Sequence, residues 1–303
     1  MTLTPRLALM LTLPPLLWAG NAVVGRSVGP LVPPLLLNAM RWTLAFLLLV
    51  PLARTLLQDL APLRQRWGYF ALTGLLGMGC YNALQYQALH SSTALNVTLI
   101  AASLPVWMLA VGALLHQVWP TRRQLAGAAL SLIGVALVIS RGRLDRLAQV
   151  QFVVGDLLML LAVLCWAFYS WLLARPPAHM QGERRPDWDW AGLLMAQLLF
   201  GLGFSWASAG AEQAMGAAPV QWGWPLAAAL VYVAVGPSLI AYRCWGLGVA
   251  QAGPTLAAFF GNLTPVFAAL MSAAMLGEWP SWFHGAAFAL IAAGILVSSA
   301  KRA

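Results

Sequence analysis

Charge is scarce in this chain. Of 303 residues only 8% are Asp, Glu, Lys or Arg, and just 8 are carboxylates. A soluble domain carries about 25% charged residues, so lipid must serve as solvent here. Lysine is nearly absent, Lys301 being the one example, and the arginines are spread between apolar segments rather than gathered on one face. The formal charge of +9 therefore reads as a set of topology signals, and no nucleic-acid partner is expected. The three cysteines, Cys80, Cys165 and Cys244, lie inside apolar stretches without CxxC spacing. They are expected to be buried hydrophobes without a redox or metal role. There is no GxxxxGK[ST] phosphate loop, no HExxH, no acidic metal cluster and no Ser-His-Asp grouping at plausible depth. Direct ATP drive and catalysis lose their support, and neither a cofactor nor a metal is expected.

Apolar residues fill the space that charge vacates: 61% of the chain is hydrophobic, with 15 Trp. Stretches of about 20 residues recur, each able to cross a hydrocarbon core of roughly 30 Å. Bounded by charge, Pro and Gly, they predict an all-α integral membrane protein whose ten transmembrane helices lie near 7–28, 33–52, 67–89, 93–115, 123–140, 154–174, 189–209, 224–247, 254–276 and 281–299. Arg6 ahead of the first run imitates a signal peptide. Asn21 and Arg26 interrupt that run, and it has a counterpart later in the chain, so a retained helix is expected.

Orientation follows from basic residues in short loops. With the N-terminus inside, the inner face receives Arg6, Arg54, Arg64, Arg66, Arg122, Arg123, Arg175, Arg184, Arg185, Lys301 and Arg302, against Arg26, Arg141, Arg143 and Arg146 outside. Eleven against four places both termini in the cytoplasm of a multi-pass inner-membrane protein, the basic 5–6 link being the exception.

The chain also repeats itself. A slide of 160 residues aligns Pro105-Val106 with Pro265-Val266, Trp119-Pro120 with Trp279-Pro280, and Gly134 with Gly294; a slide of 148 aligns Trp18-Ala19 with Trp166-Ala167. A unit of five helices is odd, so its second copy enters the membrane upside down. Two inverted repeats, 1–145 and 146–303, are expected around a central cavity, a design that suits alternating access. Pro105 and Pro265, matched between halves, are candidate hinges or static kinks.

The segments Leu17-Trp18-Ala19-Gly20-Asn21, Ser103-Leu104-Pro105-Val106, Leu263-Thr264-Pro265-Val266, Gly277-Glu278 before Trp279-Pro280, and Gly294-Ile295-Leu296-Val297, with Arg41 opening the polar break of helix 2, carry a resemblance. In that order and spacing the whole chain resembles the drug/metabolite transporter superfamily, in particular the EamA-type permeases. Its tryptophan-rich, charge-poor helices look most like bacterial exporters of aromatic amino acids. The first repeat departs from the pattern, with His116-Gln117-Val118 where the second has Leu276-Gly277-Glu278; this makes Glu278 a structural residue rather than a transport group.

Polar and aromatic side chains cost least inside a membrane when they face a cavity between helices. On that ground the candidate substrate contacts are Trp18 and Asn21 in helix 1; Tyr81, Asn82 and Gln85 in helix 3; Asn96, Ser103 and Trp107 in helix 4; Trp166, Tyr169 and Ser170 in helix 6; Tyr242 and Trp245 in helix 8; and Phe259 and Asn262 in helix 9. Helix-to-helix hydrogen bonding is the competing role for Asn96, Ser103 and Asn262, and ordinary packing for Trp107, Tyr242 and Trp245. Arg41 sits mid-helix with no obvious carboxylate partner, and either backbone and headgroup contacts or a substrate carboxylate could hold it. Aromatic walls with amide groups suit neutral or zwitterionic solutes, amino acids among them. The expected activity is secondary transport of such metabolites, as exporter or facilitator; other drug-like solutes, or an integral membrane enzyme acting on lipid or isoprenoid, are the alternatives. Of the carboxylates only Asp156 approaches a helix interior, so strict proton antiport has little to work with.

Overall fold

The structure is a computed structural model, and it describes residues 3–92, 94–149, 153–276 and 281–299. Among them there is helix and no strand. Helix α1 (Pro5–Val28) starts where Thr4 accepts the Leu7 N–H at 3.2 Å, with Pro5 at the first position, where a missing donor costs nothing. Helix α2 (Pro34–Leu49) likewise begins on a proline. Two five-residue helices, α3 (Arg54–Gln58) and α4 (Ala61–Gln65), cross the polar link that follows.

The third apolar window is one rod in three parts. Helix α5 (Trp67–Gly74) passes through a π-helical segment, Leu75–Cys80, into α6 (Tyr81–Ser91). The fourth window, expected as one helix, is broken into α7 (Ala94–Ala102) and α8 (Leu104–His116) at Ser103. The cause is Pro105, whose ring removes a donor and clashes with the preceding turn. Helix α9 (Arg122–Ile139) opens with a reciprocal cap between Thr121 and Gln124.

The second half follows the same order. Helix α10 (Val154–Ala174) is capped by Asp156, whose carboxylate accepts the Val153 N–H at 2.8 Å and the Ser92 hydroxyl. Helix α11 (Trp190–Ala214) outruns its expected end near 209, because the polar segment before Met215 is helix-competent although no longer apolar. Helix α12 (Trp224–Val233) enters a second π-helical segment, Ala234–Ile240, and continues as α13 (Ala241–Ala252). The ninth window is again split, into α14 (Pro254–Gly261) and α15 (Thr264–Leu276), just before Pro265. Helix α16 (Trp282–Ser299) closes the described chain.

Seven helical stretches among the described residues are long and apolar enough to cross a bilayer, and α2 and α8 are shorter apolar helices. The protein is an all-helical, multi-pass membrane protein. The motif Gly277-Glu278-Trp279-Pro280 lies outside the described residues.

Lipid offers little hydrophobic drive for helix association, so close packing and polar contacts must supply it. Helices α9 and α16 meet through glycine: a Cβ on Gly127 would sit 2.6 Å from the Gly294 carbonyl oxygen, and one on Gly294 would sit 2.7 Å from that of Gly127. Helices α2 and α11 are stitched at several depths. Both carboxylate oxygens of Glu212 accept backbone N–H groups at the start of α2, from Leu35 at 3.0 Å and Leu36 at 2.9 Å. Further along, Asn38 donates to Ser205 at 3.4 Å, and Trp206 donates to the Thr43 hydroxyl at 3.0 Å.

Candidate functional site

Seven rings meet where α1, α2, α6, α10 and α13 converge. The Trp166 ring centroid lies 5.4 Å from Trp18, 5.2 Å from Tyr81, 5.1 Å from Tyr169, 5.4 Å from Tyr242 and 5.5 Å from Trp245. Trp18 reaches Trp245 at 5.4 Å, and Trp42 meets Tyr242 edge-on at 5.0 Å. The edge and tilted geometries are those that aromatic quadrupoles favour. Close approach needs small neighbours: a Cβ on Gly77 would lie 2.8 Å from the Tyr169 ring.

These rings fill the centre, which corrects the expectation of an open central cavity. Trp42, Trp166, Tyr169, Tyr242, Trp245 and Phe259 are buried, while Trp18, Asn21, Tyr81 and Gln85 keep partial exposure. A cavity of about 420 Å³ does exist, but at the Val28 end of the bundle, beside Gly29, Pro34, Gln87, Glu212 and Pro219.

The two π-helical segments hold the polar part of the site, and their origin is readable in the sequence. Pro237 has no N–H, so the Val233 carbonyl loses its α-helical donor, and the Ser238 hydroxyl takes that place at 2.8 Å. The Ala241 N–H bonds to the Gly236 carbonyl, which deprives Pro237 O of its own α-helical donor. The Trp18 indole Nε1–H fills that position at 3.1 Å. In the other half the Tyr242 hydroxyl donates to the Gly77 carbonyl at 2.6 Å. Gly77 and Pro237 are 160 residues apart, the same offset as the sequence repeat.

Arg41 is 2% exposed. Its Nε donates to Ser238 Oγ at 3.1 Å and its Nη1 to Asn21 Oδ1 at 3.4 Å, and its Cζ lies 4.9 Å from the centroid of Trp42. No carboxylate contacts it among the described residues; the one ion pair found there joins Arg143 to Asp145. Dipoles and a ring face thus compensate a charge whose burial costs several kcal/mol. Trp42 Nε1, on the next residue, is buried and without a hydrogen-bond partner among the described residues.

Other expected contacts have packing roles. Ser170 accepts the Trp245 N–H at 3.1 Å, which fixes that ring. Asn262 donates to Ser131 of α9 at 2.8 Å. Trp107 donates to Ser103 one turn back at 3.0 Å, and Ser103 donates to the Ile100 carbonyl at 2.6 Å. The Trp107 ring makes no contact with the seven-ring cluster among the described residues. Asn82 is buried and Gln85 partly exposed. The side chain of Asn96 lies outside the described residues. Trp42 and Gly77 carry no sequence feature that marks them as contacts, whereas Ser238 shares a helical face with Tyr242 and Trp245. The alignment of Gly77 with Pro237 under the 160-residue slide was the signal that could have found two of these neighbourhoods. Cys80 and Cys165 are free thiols within interaction range of each other.

The described residues form an all-helical membrane bundle with a buried aromatic and polar centre. The EamA-like transporter family model matches residues 6–140 and again residues 153–300, and the chain belongs to that family. It is 27% identical over 294 residues to an uncharacterized transporter of Archaeoglobus fulgidus, covering 97% of each chain. It is 25% identical to the uncharacterized inner membrane transporter YedA of Escherichia coli, over 94% of this chain and 88% of that one. A crystal structure of a protein superposes with a TM-score of 0.77 at 23% identity over 97% of both chains, a likeness of fold.

Proposed function

We propose that this transporter is a bacterial inner-membrane carrier of small neutral or zwitterionic metabolites, amino acids including aromatic ones, with both termini cytoplasmic. The observation that carries the substrate class is Arg41, buried without an acidic partner among the described residues, beside a wall of seven rings. A solute carboxylate would complete its coordination, while an apolar side chain would stack on Trp and Tyr. The phosphate class is disfavoured, because it calls for several basic residues and Arg41 stands alone in the ring cluster.

Alternating access by ten helices in two inverted five-helix repeats, 1–145 and 146–303, is the mechanism that fits. Two separate matches to one family model support it, as do π-helical segments and proline breaks that recur at one offset. Pro105 and Pro265 are the hinges in this reading. Trp18, Asn21, Tyr81, Asn82, Gln85, Trp166, Tyr169 and Tyr242 would meet the solute once the rings part.

The test is flux of labelled phenylalanine, tryptophan and leucine into proteoliposomes, with and without an imposed proton gradient. Saturable uptake indifferent to the gradient is the expected result. Uptake that requires the gradient would reverse the facilitator reading, and no flux above empty liposomes would remove amino acids from the substrate list.

A further inference from the structure

We infer that the carbonyl groups of Gly77 and Pro237 form an ammonium subsite, and that Trp18 and Tyr242 occupy it as placeholders while no substrate is bound. This rests on the carrier reading above and assigns the amino group of its substrate.

The inference follows from where helix geometry breaks. A regular α-helix pairs its interior carbonyls with the N–H four residues on; a π-helical turn shifts that register by one residue, often at functional sites. Here two such turns, Leu75–Cys80 and Ala234–Ile240, lie in different halves of the chain. One carbonyl from each turns outward to a side-chain donor of the opposite half. Trp18 of the first half donates to Pro237 O, and Tyr242 of the second donates to Gly77 O. The two donor rings are 6.4 Å apart, and each lies 5.4 Å from Trp166. Both carbonyls are thus held by donors that belong to one ring cluster, and Ser238, next to Pro237, holds Arg41.

That patch has the chemistry of a cation cradle. Carbonyl oxygens accept hydrogen bonds from an ammonium about twice as strong as those from a neutral donor, and aromatic faces attract the same charge. An ammonium thus out-competes the indole N–H and the phenol O–H for the two oxygens. A hydroxyl or hydrogen in its place gives no such gain. Arg41, one residue's reach away, would take the carboxylate of the same solute, so the polarity of a zwitterion sets its direction in the site.

The sign of the test is unusual, because removing the protein's own donors should help the ligand. Trp18→Phe and Tyr242→Phe keep a ring but remove the side-chain donor that an ammonium has to displace from the carbonyl. Calorimetry on the full chain in nanodiscs, with phenylalanine, phenethylamine and 3-phenylpropionate as probes, reads the effect. Each variant is expected to bind phenylalanine and phenethylamine roughly threefold to tenfold more tightly, with 3-phenylpropionate unchanged. Equal or weaker amine binding in both variants, with unfolding temperatures near that of the parent, would overturn the subsite. So would an equal gain for 3-phenylpropionate. If one variant fails to fold, the other decides. Tighter phenethylamine binding alongside absent amino-acid flux would keep the subsite and discard the amino-acid reading, whereas phenylalanine flux with no amine gain would do the reverse.

Discussion

The Tyr242 hydroxyl donates to the Gly77 carbonyl at 2.6 Å, tying the second half of the chain to a π-helical turn of the first. Trp18 makes the complementary tie to Pro237 at 3.1 Å. Each bond is made to a turn widened beyond the α-helical register, and both donors belong to the ring cluster.

Arg41→Gln is expected to weaken binding of phenylalanine at least tenfold, in line with the loss of a charge-assisted contact of about 1.5–3 kcal/mol, and not to weaken phenethylamine, whose ammonium the guanidinium repels. Calorimetry on the two ligands separates these outcomes. Equal losses for both would mean that Arg41 is held only by Asn21, Ser238 and Trp42 for the sake of the fold.

Gly127→Leu and Gly294→Leu should each lower thermal stability, because the added side chain meets backbone less than 3 Å away. Overpacking of this kind costs about 1–3 kcal/mol. Gly25→Ala and Gly285→Ala, where an added Cβ meets nothing within 4 Å, serve as controls and should change the unfolding midpoint little. A destabilised control pair with a stable Gly127 variant would contradict the packing of α9 on α16.

Treatment with the azo oxidant diamide should close Cys80 and Cys165 into an intrachain disulfide. Two S–H bonds break, one S–S bond forms, and the two protons and two electrons pass to the N=N bond. Mass spectrometry of the linked peptide is the measurement, and Cys80→Ser must abolish it. A link involving Cys244 instead would show that the pair is not in contact.

If Pro105 and Pro265 are hinges, Pro105→Ala and Pro265→Ala should slow turnover several-fold and leave substrate affinity within about a factor of two, since a restored donor adds one backbone bond that each cycle must break. Flux at saturating substrate against calorimetric affinity distinguishes this from a static kink, for which both would change together or not at all.

Much of this arrangement is legible in the residues. The apolar windows marked the helices because hydrophobic length is a bulk property that needs no partner. Trp18, Tyr81, Trp166, Tyr169 and Tyr242 were chosen as a helical face and do converge, as the 3.6-residue period requires. The packed state of that centre was not legible, because a ring that lines a cavity and a ring that fills one have the same sequence signature. The π-helical segments were also hidden, since Pro237 announces a kink without saying which carbonyl is freed. The pairing of Cys80 with Cys165 needed the spacing between two helices, and no local pattern encodes that.

The bonds between α2 and α11 have a mechanical consequence. These helices come from opposite halves, yet Glu212 clamps the first turn of α2, and Asn38 with Ser205 and Thr43 with Trp206 fasten the pair further along. Helices α9 and α16, also from opposite halves, are interlocked by backbone-to-backbone contact at Gly127 and Gly294. In the carrier reading proposed above, a cycle that parted residues 1–145 from 146–303 as blocks would have to break both sets of contacts. The breaks in regular geometry lie elsewhere, between α5 and α6, α7 and α8, α12 and α13, and α14 and α15. In that carrier reading, opening one side calls for bending at those breaks, as of jointed struts, rather than for parting the frame.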